Sequence, residues 1–516
     1  MSNTEAKERK ETAKALYERL KSDREPYKTR AEDCAKYTIP ALFPKEADNG
    51  STDYETPYQS VGARGVNNLS SKLLLALFPA NAPFFRLSVR DDVMDYLQQE
   101  PQVKQEIEQK LVQIEQTIQR YIENNQIRVT IHEALKQLVV AGNCLLFLPP
   151  KEGGIKLYRL NNYVVQRDAM GHVIQLVTVD RLSVATIPED VLNLSDTPYT
   201  DPAQQVDIYT HVYYNAEDNR YYSYQEIDEK LIPGYEQEFP VEACPWIPLR
   251  LMKMDGESYG RSYCEEYLGD LKTLEGLQKA IVELAAIAAS IIYLVNPNGI
   301  TQPRKLQRAK NGGFVPGRPE DVIPLQVQKT SDLQIAKGTA DAIEARLSYA
   351  FMLNSAVQRQ AERVTAEEIR YVAGELEDTL GGIYSILSQE LQLPLVRRIM
   401  IQLMSTGQIS ELPQDIVQPA ITTGVEALGR GHDLNKLTTF LNIIGNIPEA
   451  TQVVEWSNFI TAVASASNID VTGIIKTPEQ IQEEQQQQQM MQMGQAVAPE
   501  VAKGVMQSAS ASGGNA

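Results

Sequence analysis

Gly256-Glu257-Ser258-Tyr259-Gly260 spells the G-x-S-x-G pattern of a nucleophile elbow, in which a serine rides a tight turn between strand and helix. Such a serine attacks an acyl carbon only when a histidine takes its proton and an acid orients that histidine. Only His432 lies downstream, and no alternation of strands and helices surrounds the motif. The glycines read better as parts of a bend, a serine hydrolase at Ser258 is the alternative, and no catalytic residue is assigned. Gly312, Gly317, Arg318 and Pro319 repeat the spacing of a phosphate-binding loop, with Arg318 in place of its lysine and Pro319 in place of its magnesium-binding hydroxyl. ATP hydrolysis is therefore not expected. His132-Glu133 opens an H-E-x-x-H zinc pattern that Lys136 breaks. Cys34, Cys144, Cys244 and Cys264 lie far apart without a C-x-x-C pair, so neither metal, disulfide framework nor cofactor is expected.

A different chemistry belongs to Arg304, Lys305, Arg308, Lys310 and Arg318. These five cations fall among Pro303, Gly312, Gly313, Pro316 and Pro319. Basic side chains clustered on an irregular insert are a candidate functional surface, and a solvated loop is the alternative.

The insert separates two long helical patterns. Leu268, Leu271, Leu274, Leu277, Ile281, Leu284, Ile287, Ala288 and Ile291 step by threes and fours, which predicts a helix from about Ser262 to Val295. At 1.5 Å per residue this rod is roughly 50 Å long. The second pattern runs from Ser331, a candidate cap reciprocated by Gln334, through Leu333, Ile343, Leu347 and Phe351 to Leu353. A rod out, an irregular tip and a rod back suit a lever or a tube wall.

Upstream, Thr4 to Lys36 reads as two charged, solvated helices broken at Glu25-Pro26, followed by helices over Val61 to Leu77, Val103 to Ile122 and Val129 to Val140. Short alternating runs from Cys144 to Val179 predict a β-meander, and Val206 to Tyr214 with Tyr221 to Ile227 a second β region. Tyr209, Tyr213, Tyr214, Tyr221, Tyr222 and Tyr224 could stack on bases, but strand propensity explains them better. Downstream, a helix capped by Thr365 and Glu368 softens at Gly381-Gly382 and kinks near Pro394; a short strand lies around Pro419 to Thr422. Helices follow near Leu434 to Ile444 and Val453 to Ala466, and the Ala/Ser/Gly/Gln-rich stretch from Gly494 should be disordered.

At 516 residues the chain has room for about two to four domains. No N-terminal apolar run suggests a secretory signal. Ala280 to Val295 is too short to span a membrane and carries Glu283. A net charge of -18 argues against a general nucleic-acid binder, which needs clustered Lys and Arg.

Four runs carry a family resemblance: GRSYCEEYLGD from Gly260 to Asp270, GITQP from Gly299, AIEARL from Ala342 and VTAEEIRY from Val364. With GARG from Gly62 and LLLALFP from Leu73, and over most of residues 15–475, the chain resembles the portal (head-to-tail connector) proteins of T7-like short-tailed phages. The resemblance implies an α+β, predominantly helical portal fold, with about twelve copies closing into a ring around duplex DNA at one capsid vertex. It implies a wing at 1–257 and again at 365–430, stem helices at 258–295 and 331–353, a clip at 296–330 and a tunnel loop at 354–364. A helical crown would follow at 431–493 and a disordered tail at 494–516. It further implies Arg359 and Arg363 as a channel gate, with pairing to Glu362 or Glu367 in an ordinary inter-helix contact as the alternative, and the five insert cations as a surface for the terminase motor and then the tail adaptor. Major capsid protein, scaffold and internal core proteins would be the other partners, without membrane insertion. The portal would be assembled in the bacterial host cytoplasm and reside in the virion. A helical scaffold or coat protein is the structural alternative.

Overall fold

The computed structural model describes residues 11–45, 48, 50–79, 84–90, 93, 101–150, 153–199, 201–289, 292–325, 330–353, 366–410 and 417–421. The chain divides into two compact units, 1–427 and 428–516. The crown, the tail, Thr365 and the two candidate gate arginines, Arg359 and Arg363, lie outside the described residues.

Thr12 starts the first helix, its hydroxyl accepting from the Ala15 N–H at 3.2 Å. Helix α1 then runs unbroken through Pro26, Ala13–Lys36, correcting the expected pair of solvated helices. Proline inside a helix costs about 3 kcal/mol, and burial of the helix face offsets it. Leu16, Leu20, Ala31 and Cys34 are buried, as is Arg24, which donates to the Tyr17 hydroxyl at 2.8 Å and the Asn161 carbonyl at 2.7 Å. The charge pattern conceals this buried face because two of its members, Arg24 and Lys28, are themselves cations.

Helices α2 (Val61–Leu77), α3 (Pro101–Asn124) and α4 (Ile127–Ala141) follow the predicted periodicities closely. Between α2 and α3 lies strand β1 (Phe85–Val89), which pairs antiparallel with the distant strand β13 (Val417–Ile421). The expected meander exists as strands but divides between two sheets. Strands β2 (Asn143–Phe147) and β3 (Lys156–Arg159) join β10 (Trp246–Arg250) in the order β10-β2-β3. Strands β4 (Tyr163–Arg167), β5 (Val173–Ser183), β6 (Gln205–Asn215), β7 (Arg220–Ile227) and β8 (Lys230–Leu231) form the larger sheet, with β9 (Gln237–Pro240) also on β7. The tyrosine cluster lies in this sheet as cross-strand pairs, Tyr213 opposite Tyr222 and Tyr214 opposite Tyr221. Helix α1 crosses the same sheet, with Tyr17 edge-on to Tyr209 and the Ala13 N–H donating to Glu226 at 2.7 Å.

The first rod is shorter than its apolar stripe suggests. A single turn, α5 (Tyr263–Glu266), is capped by Ser262, and helix α6 covers Leu268–Ala289. Ile292–Val295 is strand β11, paired with β12 (Val322–Leu325), not the end of a helix. β-branched residues are content in either structure, so periodicity alone could not separate them. The return helix α8 spans Thr330–Ala350, so Ser331 lies in its first turn instead of capping it. Helix α9 (Ala366–Leu387) kinks at Leu380 beside Gly381-Gly382. A π-helical turn, Ser388–Gln392, then leads into α10 (Leu393–Ser405), with Pro394 in its first turn.

Candidate functional site: stem and clip

The two rods pack on each other, and their burial changes along their length. At one end, Leu271 and Leu274 of α6, Ile343 and Leu347 of α8 and Phe351 just past it are buried. Toward the clip, Val282 is 49% exposed, Ile287 57% and Ile335 69%. Tyr293 and Leu294, neighbours on β11 that must point to opposite faces, are both more than half exposed. Half of the large apolar side chains exposed among the described residues lie between Val282 and Tyr349. One chain therefore covers the root of its stem and leaves the outer part open.

At the stem root a charged network ties α1 to the first rod. Arg261 bonds both Glu257 carboxylate oxygens, at 2.7 and 3.0 Å, and Glu265 at 3.0 Å. Arg30 reaches Glu265 at 3.2 Å, and the Tyr27 hydroxyl donates to Glu257 at 2.7 Å. The Arg261 hydrogen bonds hold the Glu257 carboxyl below the usual carboxylate range. Lys272 and Asp33 pair at 2.9 Å further along the same seam.

The clip begins and ends at one buried knot. Asp321 accepts from the Thr301 hydroxyl at 2.8 Å and its N–H at 3.1 Å, while the Arg318 N–H donates to the Thr301 hydroxyl oxygen at 2.9 Å. The Thr301 hydroxyl keeps Asp321 below the usual carboxylate range. Gly317 is required here, because a Cβ would lie 2.4 Å from the Thr301 hydroxyl oxygen. Arg304, Lys305 and Arg308 sit on the short helix α7 (Pro303–Arg308), Lys310 just beyond it and Arg318 on the return. All five are exposed, and none forms an ion pair with another described residue. Phe314 is fully exposed between Gly312 and Pro316.

The rejected motifs have ordinary structural roles. The Ser258 hydroxyl oxygen accepts from the Arg167 N–H at 3.3 Å, and no described histidine is among its partners. Gly260 lies against Arg250 and Gly142, exchanging hydrogen bonds with Asn143 at 2.7 and 2.8 Å. His132 faces the Ser71 hydroxyl, and burial lowers its pKa. Among the described residues no acidic, histidine or cysteine cluster could hold a metal. No described helix is long and apolar enough to cross a membrane.

Sequence reasoning missed Asn68 and Lys72 on α2, which hold the end of α8. No linear signal marked them, since polar residues in an amphipathic helix ordinarily read as its solvent face.

Two packed helical rods, joined by a basic insert, belong with the mixed helices and sheets of the first unit. Residues 10–475 match the model of the bacteriophage head to tail connecting protein family, and the chain belongs to that family. It is 52% identical to the portal protein of Escherichia phage T7, over 97% of this chain and 95% of that protein. Identity to the portal protein of Enterobacteria phage T3 is 54%, covering 91% and 89%. The portal protein of Enterobacteria phage SP6 is 30% identical, covering 95% of each. Among solved structures, a chain from the neck of an empty gene transfer agent particle aligns over 74% of this chain and 86% of its own. Its identity is 14% and its TM-score 0.36, too low to bear on the fold.

Proposed function

We propose that this chain is the subunit of a closed ring at one capsid vertex, through which duplex DNA enters during packaging and leaves at ejection. The observation that carries the reading is the uncovered outer stem in a chain that matches connector proteins along nearly its whole length. Covering apolar surface contributes about 25 cal/mol per Å², so exposed Val282, Ile287, Ile335 and Tyr293 favour association with neighbours. A head-to-tail ring joins two different faces of each subunit, and about twelve copies would close it.

In this reading residues 1–257 and 365–430 form the wing, 258–295 and 331–353 the stem, 296–330 the clip and 431–493 the crown. The part is mechanical and non-enzymatic. The five exposed clip cations dock the terminase motor and later the tail adaptor, while capsid, scaffold and core proteins meet other surfaces. Arg359 and Arg363, in the segment 354–364, act as a positively charged gate, since one cation per subunit repeated around a ring holds phosphates electrostatically.

Charge reversal of Arg304, Lys305 and Arg308 to Glu tests the docking surface. Rings should form normally, while packaging or tail attachment fails. Normal yields of filled, tailed particles would refute the assignment.

A further inference from the structure

Helix α8 ends in a Schellman cap: the Leu353 N–H donates to the Ser348 carbonyl at 2.8 Å, and the Met352 N–H to the Tyr349 carbonyl at 3.0 Å. The left-handed position of such a cap usually belongs to glycine. Here it is Met352, with φ of 54°. A side chain in that conformation costs about 1–3 kcal/mol, so contacts outside the cap must hold it.

Three side chains supply them. The Asn68 amide donates to the Phe351 carbonyl at 2.9 Å and the Met352 carbonyl at 3.0 Å. Lys72, one turn further along α2 and only 7% exposed, donates to the Met352 carbonyl at 3.1 Å. The Tyr263 hydroxyl donates to the Ala350 carbonyl at 2.9 Å. Gly65, on the same face of α2, leaves room for the Phe351 ring, which a Cβ would approach to 2.5 Å. The Lys72 ammonium also stands at the negative end of the α8 dipole.

Burying an ammonium is expensive, and a glycine at position 352 would have ended the helix without strain. Helix termination alone therefore does not explain the arrangement. We infer that Asn68 and Lys72 are positioning residues that fix the direction in which the chain leaves α8 toward residues 354–364. Their contacts with the Phe351 and Met352 carbonyls hold the main chain itself at the exit. Repeated around a ring, it presents every copy of that exit alike. The inference rests on reading Arg359 and Arg363 as a gate.

Filled, tail-less particles carrying full-length variants separate the two ideas. Asn68→Ala/Lys72→Met should form rings and package DNA, then lose it as fast as Arg359→Ala/Arg363→Ala does. Lys72→Arg, which keeps the donor, should retain DNA, as should Met352→Gly, which keeps the left-handed turn. If the clamp variant retains DNA while the arginine variant leaks, the clamp inference is wrong and the gate stands. If both retain DNA, the gate reading fails and the clamp's role with it. Should the double clamp variant not assemble, Lys72→Met alone is judged by the same leakage. A lowered unfolding midpoint with unchanged leakage would reduce the clamp to a helix cap and overturn the proposal.

Discussion

Gly65 shows how one missing side chain fixes the junction of wing and stem. Gly65→Ala would drive a methyl group into the buried Phe351 ring, so either the ring or α2 must move. Overpacking of this kind costs about 1–3 kcal/mol, and thermal unfolding of the purified chain should register a lower midpoint. An unchanged midpoint would mean that the ring has room to shift. Glu257 predicts a pH dependence instead. Its folded pKa is depressed by Arg261, so its stabilising contribution is present above the unfolded carboxylate value and lost as pH falls through the lower folded value. Glu257→Gln should remove that acid-range loss, and an unaltered stability profile below about pH 4.5 would contradict the assignment. The glycines of G-x-S-x-G were legible as a bend, because only His432 follows the serine and no alternation of strands and helices surrounds it. Met352, Asn68 and Lys72 were not legible. Nothing in a linear pattern says that a methionine adopts a left-handed turn or that a lysine in an amphipathic helix faces inward.

At the scale of elements, the outer stem is the part that a single chain leaves unfinished. Val282→Lys with Ile287→Lys should shift assembled rings toward monomers without unfolding the wing. Each buried aliphatic side chain is worth about 1.5–3 kcal/mol, repeated at every interface. Light scattering and circular dichroism together check this, and rings of normal size from the double variant would show that the α6 face is not an interface. The helices with clean periodicity, α2, α3 and α4, were readable from sequence because nothing but burial decides them. Two failures have a common cause. Periodicity carried the first rod on to Val295, where pairing of β11 with β12 wins. A proline seemed to break α1, where tertiary burial of Leu16, Leu20 and Arg24 wins. In both, long-range contacts override a local rule. The β1–β13 pairing, across more than three hundred residues, had no local signal at all for β1.

For the whole molecule, identity to portal proteins of 52% and 54% over at least 91% of the chain makes the connector class secure, and the ring is the claim that follows from it. Acidity and a basic clip are consistent at this scale. A net charge of -18 favours solubility, and in the proposed ring the exposed cations between Arg304 and Arg318 would be positive charge available for docking. Single-particle imaging of the purified full-length chain, without DNA or nucleotide, tests the account most directly. It should reveal closed rings with a central channel wide enough for duplex DNA, and the paired rods of neighbouring subunits lining it. Monomers across the micromolar range, open filaments or closed shells would contradict it.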